Sequence, residues 1–126
     1  MSLIANFEDL RIWQEARRLV QETYGAFIYC KDYSFRDQIQ RSVISIMNNI
    51  SEGFERRTKK DFSHFLDMAK GSSAEAKSMM YVAEDLQYLL PSEASMFRER
   101  LSELIVSIGA LASKVCKQEL KRLAAK

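Results

Sequence analysis

The sequence contains few of the residues that interrupt helices or form tight turns. Its 126 residues include one proline and four glycines. A β-sandwich or β-barrel needs turn residues about every 8–12 positions, so both folds are disfavoured. The length is that of one folding unit. We therefore expect a single domain over residues 1–126 that is built from long helices.

The sequence also lacks a long hydrophobic run. No apolar stretch reaches the roughly 18–20 residues of a membrane span, and the N-terminus has no basic region followed by a hydrophobic stretch. The composition, with 47% hydrophobic and 29% charged residues, is typical of a folded globular protein. These features predict a cytoplasmic protein that makes no membrane contact. Whether residues 1–3 are native or a cloning remnant stays open.

Apolar residues recur at three- and four-residue steps in four segments, which is the pattern of amphipathic helices. Asn6 is placed to cap the first helix and Ser34 the second. Thr58, followed three residues later by Asp61, resembles a capping box that opens the third helix. Pro91 should end that helix and allow a fourth to begin. The sequence therefore predicts an all-α fold, an antiparallel up-down-up-down four-helix bundle.

Cysteine is scarce, and the predicted bundle separates the two that are present. Cys30 follows the first helix, whereas Cys116 lies late in the fourth, near the opposite end of the bundle. A disulfide requires Cα atoms within about 7 Å, so no bond is expected between them. We interpret both as reduced, buried thiols.

Few residues are suited to catalysis. A di-metal centre in a bundle needs Glu-x-x-His pairs on two helices, but the single histidine, His64, has only Asp61 three residues before it. The four glycines are isolated, so no phosphate-binding loop is predicted. We expect a non-enzymatic protein without catalytic residues, metal or cofactor, in which His64 is an ordinary surface or partly buried side chain.

Basic residues concentrate in the predicted turn between the second and third helices and in the C-terminal tail. The last 13 residues hold five basic residues and one acidic residue. An up-down bundle brings the turn and the tail to the same end, where the charges could contact the phosphates of a nucleic acid. The alternative is a solvated loop and a solubilising tail. The predicted nucleic-acid-binding residues are Arg41, Arg56, Arg57, Lys59, Lys60, Lys114, Lys117, Lys121 and Arg122.

Two helices are apolar on more positions than one core requires, most clearly over residues 79–83. The second helix also carries uncharged polar residues on a stripe that we interpret as facing outward. Both features predict contacts with another subunit; a broad core stripe and a plain exposed face are the alternatives. The small residues at 71–74 permit either close helix approach or a kink. The predicted oligomer-interface residues are Ser45, Asn49, Met79, Met80 and Tyr81.

Six segments resemble a known family, in order and at its spacing: FEDL (7–10), IWQEA (12–16), QIQRS (38–42), NNISEGF (48–54), FSHFL (62–66) and AKGS (69–72). They are similar to the four-helix-bundle proteins encoded in 23S rRNA intervening sequences. The resemblance covers nearly the whole chain and implies a homopentameric ring. The sequence departs from the family pattern at Met47, where many relatives carry proline, and at Ser51, where alanine is usual, which should alter the bend of the second helix.

The same family includes the accessory variability protein of diversity-generating retroelements. That relationship implies a positively charged surface that binds RNA or DNA beside a protein partner such as a reverse transcriptase. Our first hypothesis is therefore a homo-oligomeric, ring-forming adaptor that binds nucleic acid. The alternative is a structural protein–protein interaction scaffold with no affinity for nucleic acid.

Overall fold

The structure, a computed structural model, describes residues 4–125. Residues 1–3, whose origin the sequence leaves open, and Lys126 of the basic tail lie outside the described part. A short 3₁₀ helix precedes four α-helices, and the described residues contain no strand. The elements are the 3₁₀ helix Phe7–Asp9, α1 Arg11–Ala26, α2 Tyr33–Phe54, α3 Lys59–Asp85 and α4 Pro91–Ala124.

Helices that follow one another in the chain pack against each other, most extensively α3 with α4. The circuit closes where α1 meets α4, along a smaller surface. Short connections between long helices make neighbours antiparallel. The predicted all-α, antiparallel four-helix bundle is thus confirmed. None of the described helices combines the length and the hydrophobicity that crossing a bilayer would require.

The antiparallel course of the helices gives the bundle two ends with different side chains. We call the end formed by residues 53–60 and by residues 114–124 of α4 the basic end. The other end, formed by connections 27–32 and 86–90, we call the tyrosine end. Lys59 contacts Gln118 at the first, and Tyr88 contacts Asp32 at the second.

One hydrophobic core runs between the two ends, and all four helices contribute to it. In α2, the side chains of Ile39, Val43, Ile46 and Ile50 follow three- and four-residue steps, and none is more than 1% exposed. Burying a side chain of this size stabilises the fold by about 1.5–3 kcal/mol. The α2 helix runs without interruption through Met47 and residue 51.

The structure confirms one predicted helix cap and corrects two. Thr58 Oγ1 accepts a hydrogen bond from the Asp61 N–H at 3.1 Å and so opens α3 as predicted. The cap of α2 is Asp32 rather than Ser34, because Asp32 Oδ1 accepts from the Phe35 N–H at 3.1 Å. Asn6 precedes the 3₁₀ helix and makes no side-chain cap.

The end of α3 also differs from the prediction. The helix stops at Asp85 instead of continuing to Pro91. Gln87 then adopts a φ of 61°, in the left-handed region, and the Tyr88 N–H donates to Ala83 O at 2.8 Å. This reversal turns Tyr88 toward α2. Pro91 is the first residue of α4, the position where its missing N–H costs nothing.

Both cysteines are free, and they lie toward opposite ends of the bundle as predicted. Cys30 is half-buried, and its Sγ lies 3.8 Å from the Asp32 backbone oxygen. The prediction of a buried thiol is wrong for Cys116, which is exposed on α4. Val115, beside it, is the residue of that turn that points into the core.

Candidate nucleic-acid interface

The turn between α2 and α3 is tight because a glycine permits the two helices to approach. A Cβ atom added to Gly53 would lie 2.5 Å from Phe65 Cβ and 3.1 Å from Phe62 Cδ1. Distances this short between carbon atoms require the backbone or the rings to shift. The absence of a side chain at Gly53 therefore positions the basic residues of the turn directly beside the start of α3.

Aromatic rings form the layer beneath this turn. The rings of Phe54 and Phe62 meet edge to face, with centroids 5.8 Å apart. The guanidinium of Arg56 lies over the ring of Phe65 at 4.7 Å from the centroid. A cation over an aromatic face is held electrostatically, which orients the Arg56 side chain along the surface.

The C-terminal part of α4 completes the same surface. Lys59 Nζ donates a hydrogen bond to Gln118 Oε1 at 2.7 Å, across the boundary between α3 and α4. Lys114, Lys117 and Lys121 follow helical spacing and are exposed. Together with Gln118 they line a shallow depression on the outer face of α4. The predicted meeting of the turn and the tail at one end is confirmed for the described residues.

The basic end carries an excess of positive charge. It brings together eight of the nine predicted nucleic-acid-binding residues. Glu55 and Glu119 are the acidic residues of the same segments, and Glu52 and Asp61 flank the turn. Two guanidinium nitrogens of Arg122 donate to the Glu119 carboxylate, at 2.7 and 3.1 Å, and these bonds raise the pKa of Arg122. Arg122 therefore stays charged while part of its field is neutralised locally.

The ninth predicted residue, Arg41, lies elsewhere. It is exposed near the middle of α2, about 20 Å along the helix axis from the C-terminal end of α2. Helical spacing places Arg41 on a face of α2 that continues toward Arg56, but the length of the helix separates the two. The structure therefore does not bring Arg41 to the basic end.

The polar stripe of α2 was predicted to face outward, and this is wrong for Ser45 and Asn49, which lie on the side of α2 packed against the bundle. The other residues of the stripe are exposed: Gln38, Arg41, Glu52 and Arg56. Ser45 Oγ and Ser72 Oγ are 2.9 Å apart, and Asn49 Nδ2 donates to Ser45 O at 2.9 Å. Gln38 Nε2 and Ser42 Oγ both donate to Glu75 Oε1 at 2.8 Å. These bonds give the low-propensity residues partners within the chain, and Asn49 is buried. The small residue at 72 serves close helix approach, one of the two alternatives that the sequence left open.

The other three predicted interface residues, Met79, Met80 and Tyr81, differ in how much of each side chain is exposed. Met80 has no exposed surface and packs in the core of its own bundle, which leaves it nothing to offer a second subunit. Met79 is half-buried, and its sulfur lies 3.8 Å from Ser42 Oγ. Tyr81 is exposed, with the Arg98 guanidinium 4.2 Å from its ring centroid. A subunit contact through Tyr81 and neighbouring Val82 stays a prediction.

Sequence reasoning missed a second apolar surface, at the tyrosine end. Tyr29 is 89% exposed, and Ile28, Tyr33, Leu86 and Leu90 are each more than half exposed. The signal was present in the sequence, since Ile28 and Tyr29 continue the apolar run of α1 past the point where one helical stripe can bury it. Such a group of apolar side chains is typical of a contact surface.

The connections of the tyrosine end are fixed by a short polar contact. The Tyr88 hydroxyl donates to Asp32 Oδ2 at 2.6 Å. This bond, followed by the Phe35 N–H, lowers the pKa of Asp32, and the same bond raises the pKa of Tyr88 to about 12. The ring of Phe35 meets that of Tyr88 with centroids 5.3 Å apart. The bond and the rings tie the α1–α2 connection to the α3–α4 connection.

The residues that the structure describes, 4–125, do not form a metal site. No group of three or more His, Cys, Asp or Glu side chains is placed there to hold an ion. His64 is exposed, and its ring contacts the edge of Phe65 with centroids 6.1 Å apart. The exposed position agrees with the interpretation of His64 as an ordinary surface side chain.

Comparisons with known proteins agree with this architecture. A crystal structure of a protein of unknown function from the S23 ribosomal protein family of Bacteroides thetaiotaomicron VPI-5482 superposes with a TM-score of 0.75. The match has 17% identity and covers 80% of this chain and 97% of that one, so it shows a shared fold. No protein with a curated function matches the sequence significantly. The family model of the 23S rRNA-intervening sequence protein matches residues 8–110. This chain therefore belongs to the 23S rRNA-intervening sequence protein family.

Proposed function

We propose that this protein is a non-enzymatic, homo-oligomeric adaptor that binds nucleic acid through its basic end. The observation that carries the proposal is the 2.7 Å contact between Lys59 and Gln118. It joins the α2–α3 turn and the C-terminal part of α4 into one surface, so that cations far apart in the chain can act on the same ligand.

The physical basis of this binding is the neutralisation of phosphates. Each exposed ion pair with a phosphate contributes little alone, because water and salt screen it. Several pairs formed together release several counterions, and this release supplies most of the affinity. Phosphate contacts orient a protein on nucleic acid without reading its sequence. The adaptor would therefore bind with low sequence specificity and leave any base recognition or chemistry to a partner, for which a reverse transcriptase is the expectation from the resemblance.

Self-association is the second part of the proposal. Tyr81 and Val82 give α3 an exposed apolar face in addition to the face that Met80 and Ala83 bury in the core. A helix with two apolar faces gains free energy by covering the second one. A ring, and five as its number of subunits, are expectations from the family. Light scattering on the purified protein measures the mass of the assembly and so the number of subunits. A monomeric mass would contradict the homo-oligomer.

Charge reversal at two positions of the turn tests the nucleic-acid surface. Arg57 and Lys60 are both exposed, so Arg57→Glu with Lys60→Glu should leave the fold intact. We expect about a tenfold or greater loss of affinity for structured RNA and for duplex DNA. The slope of log affinity against log salt for the duplex should fall by about 2, because each lost phosphate contact accounts for about 0.9. Fluorescence anisotropy from low to physiological salt gives both quantities.

The matched control reverses two exposed lysines outside the basic end. Lys31 lies at the tyrosine end and Lys70 in the middle of α3, so Lys31→Glu with Lys70→Glu produces the same change in net charge. If both double variants lose affinity equally, net charge and not the basic end controls binding. Circular dichroism and mass confirm that each variant is folded and assembled.

The alternative function is a protein–protein interaction scaffold with no affinity for nucleic acid. The apolar surface of the tyrosine end favours it, with Tyr29 89% exposed and Ile28 61% exposed. The absorbance ratio of the purified protein discriminates the two. Co-purified nucleic acid favours the adaptor, whereas a clean preparation that carries a stoichiometric second chain favours the scaffold.

A further inference from the structure

We infer that the nucleic acid bound at the basic end is double-stranded, RNA or DNA, and that the protein contacts both strands across one groove. This inference rests on the proposed function and adds the class of ligand. Two observations carry it. The cations form two groups on two neighbouring helices, and the aromatic rings of the basic end are occupied by contacts within the chain.

The two groups of cations lie on separate helices. One consists of Lys114, Lys117 and Lys121, exposed on the outer face of α4 and spread over about 10 Å of its axis. The other consists of Lys59 and Lys60 at the start of α3. The two helices are joined at this level by the bond from Lys59 to Gln118. Each group is therefore carried by a regular helix that is packed against the other.

The separation of the groups suits a duplex groove. Packed helices have axes about 8–10 Å apart. The grooves of B-form DNA are about 6 and 12 Å wide, and each is bordered by phosphates of both strands. Lysine side chains on adjacent helices can therefore contact the two borders of one groove. A double helix presents its phosphates on a stiff frame, so cations held on helices need little rearrangement to bind it.

The rings at the basic end are not presented to bases. Proteins that bind single strands without sequence preference stack successive bases on aromatic side chains, each worth about 1–3 kcal/mol. Here Phe54 and Phe62 are half-buried and contact each other. Phe65 is half-buried beneath the Arg56 guanidinium and beside Gly53. A flexible single strand would gain phosphate contacts alone while it lost conformational freedom, which favours the duplex.

Fluorescence anisotropy on the full chain tests this inference with three labelled probes. They are a duplex RNA and a duplex DNA of about 20 base pairs and mixed sequence, and an unstructured oligouridine of the same number of nucleotides. We expect the protein to bind at least one duplex about tenfold or more tightly than oligouridine at the same salt concentration. The RNA and DNA arms identify which double helix is preferred.

Variants of the two groups test the contact with both strands. Lys117→Glu with Lys121→Glu, in the α4 group, should weaken duplex binding about tenfold or more. So should Arg57→Glu with Lys60→Glu, which reverses one cation of the α3 group and one of the adjoining turn, whereas Lys31→Glu with Lys70→Glu should have a smaller effect. Tighter or equal binding of oligouridine would overturn the inference and leave the proposed function standing. Unchanged duplex binding in the Lys117/Lys121 variant would likewise overturn the inference of contact with both strands. No binding of any probe at low salt would overturn both.

Discussion

The two ends of the bundle solve the same structural problem with different chemistry. The tyrosine end joins two pairs of helices and must hold its two connections together, whereas the basic end joins α2 to α3 and must hold that turn against α4. At the tyrosine end, the half-buried hydroxyl of Tyr88 donates to the Asp32 carboxylate at 2.6 Å, and the ring packs on Phe35. At the basic end, the contact across the bundle is the exposed bond from Lys59 to Gln118.

The difference lies in what each end leaves exposed. The Tyr88–Asp32 bond is charge-assisted and part-buried, so the tyrosine end is held by its own side chains. Water can replace the exposed Lys59–Gln118 bond at small cost, so under the proposed function Lys59 exchanges this bond for a phosphate. The apolar side chains of the tyrosine end are suited to another protein surface instead. The two ends thus expose different chemistry, cations at the basic end and apolar side chains at the tyrosine end.

The largest effect that we expect comes from the turn of the basic end. Gly53→Ala adds a Cβ that would lie 2.5 Å from Phe65 Cβ, so α2 and α3 must move apart. We expect the free energy of unfolding to fall by about 1–3 kcal/mol, the usual cost of overpacking. Urea denaturation followed by circular dichroism measures it. Affinity for nucleic acid should also fall, because the same movement displaces Arg56 and Arg57.

Gly71 provides the matched control for this substitution. It lies within α3, and a Cβ added there would meet nothing within 4 Å. Gly71→Ala should therefore raise the free energy of unfolding by about 0.5–1 kcal/mol through helix propensity. If the two substitutions change stability in the same direction, the close approach at Gly53 does not control the turn.

A smaller effect, with a characteristic pH dependence, should come from the tyrosine end. Tyr88→Phe removes the bond to Asp32 but keeps the ring that packs on Phe35. The pKa of Tyr88 is raised from 10.0 to about 12, so this bond stabilises the fold fully below pH 10 and is lost as the pH rises to 12. The pKa of Asp32 is lowered from 3.8, so its contribution is present above pH 4 and is lost as the pH falls through the lowered value.

The melting temperatures of the wild type and of Tyr88→Phe, measured against pH, should therefore differ most across the neutral range. The two curves should converge above pH 10 and again in acid. A difference that stays constant from neutral pH to pH 12 would show that the bond itself contributes nothing. The difference in melting temperature between the wild type and Gly53→Ala should not depend on pH in this way, because the effect of that substitution is steric.

Local patterns predicted most of this fold, whereas contacts between distant residues were missed. Thr58 capped α3 as predicted because its hydrogen bond spans three residues. The end of α3 was missed because Tyr88 is turned inward by Asp32, which lies 56 positions earlier in the chain. No periodicity within one segment contains that information.

The same reasoning explains the errors in the candidate surfaces. Ser45 and Asn49 were assigned outward because polar residues usually face water. Instead, Ser72 on α3 provides a partner for Ser45, and Asn49 donates to Ser45 within α2. The small polar residue Ser72 was the feature of the sequence that could have indicated a partner for Ser45. Charge clusters that are close in the chain, such as Arg56 to Lys60, were placed correctly since a short turn cannot separate them.

The smallest expected effect is that of Arg41, and it tests how far the basic end extends. Arg41→Glu changes an exposed side chain near the middle of α2 by two units of charge, as Arg57→Glu does within the turn. At physiological salt the Debye length is about 8 Å, so a charge about 20 Å away is largely screened. Arg41→Glu should therefore change duplex affinity less than about twofold, against several-fold for Arg57→Glu. Equal losses in the two variants, measured by anisotropy at the same salt, would mean that the ligand lies along α2 and that the binding surface is a side of the bundle instead of its end.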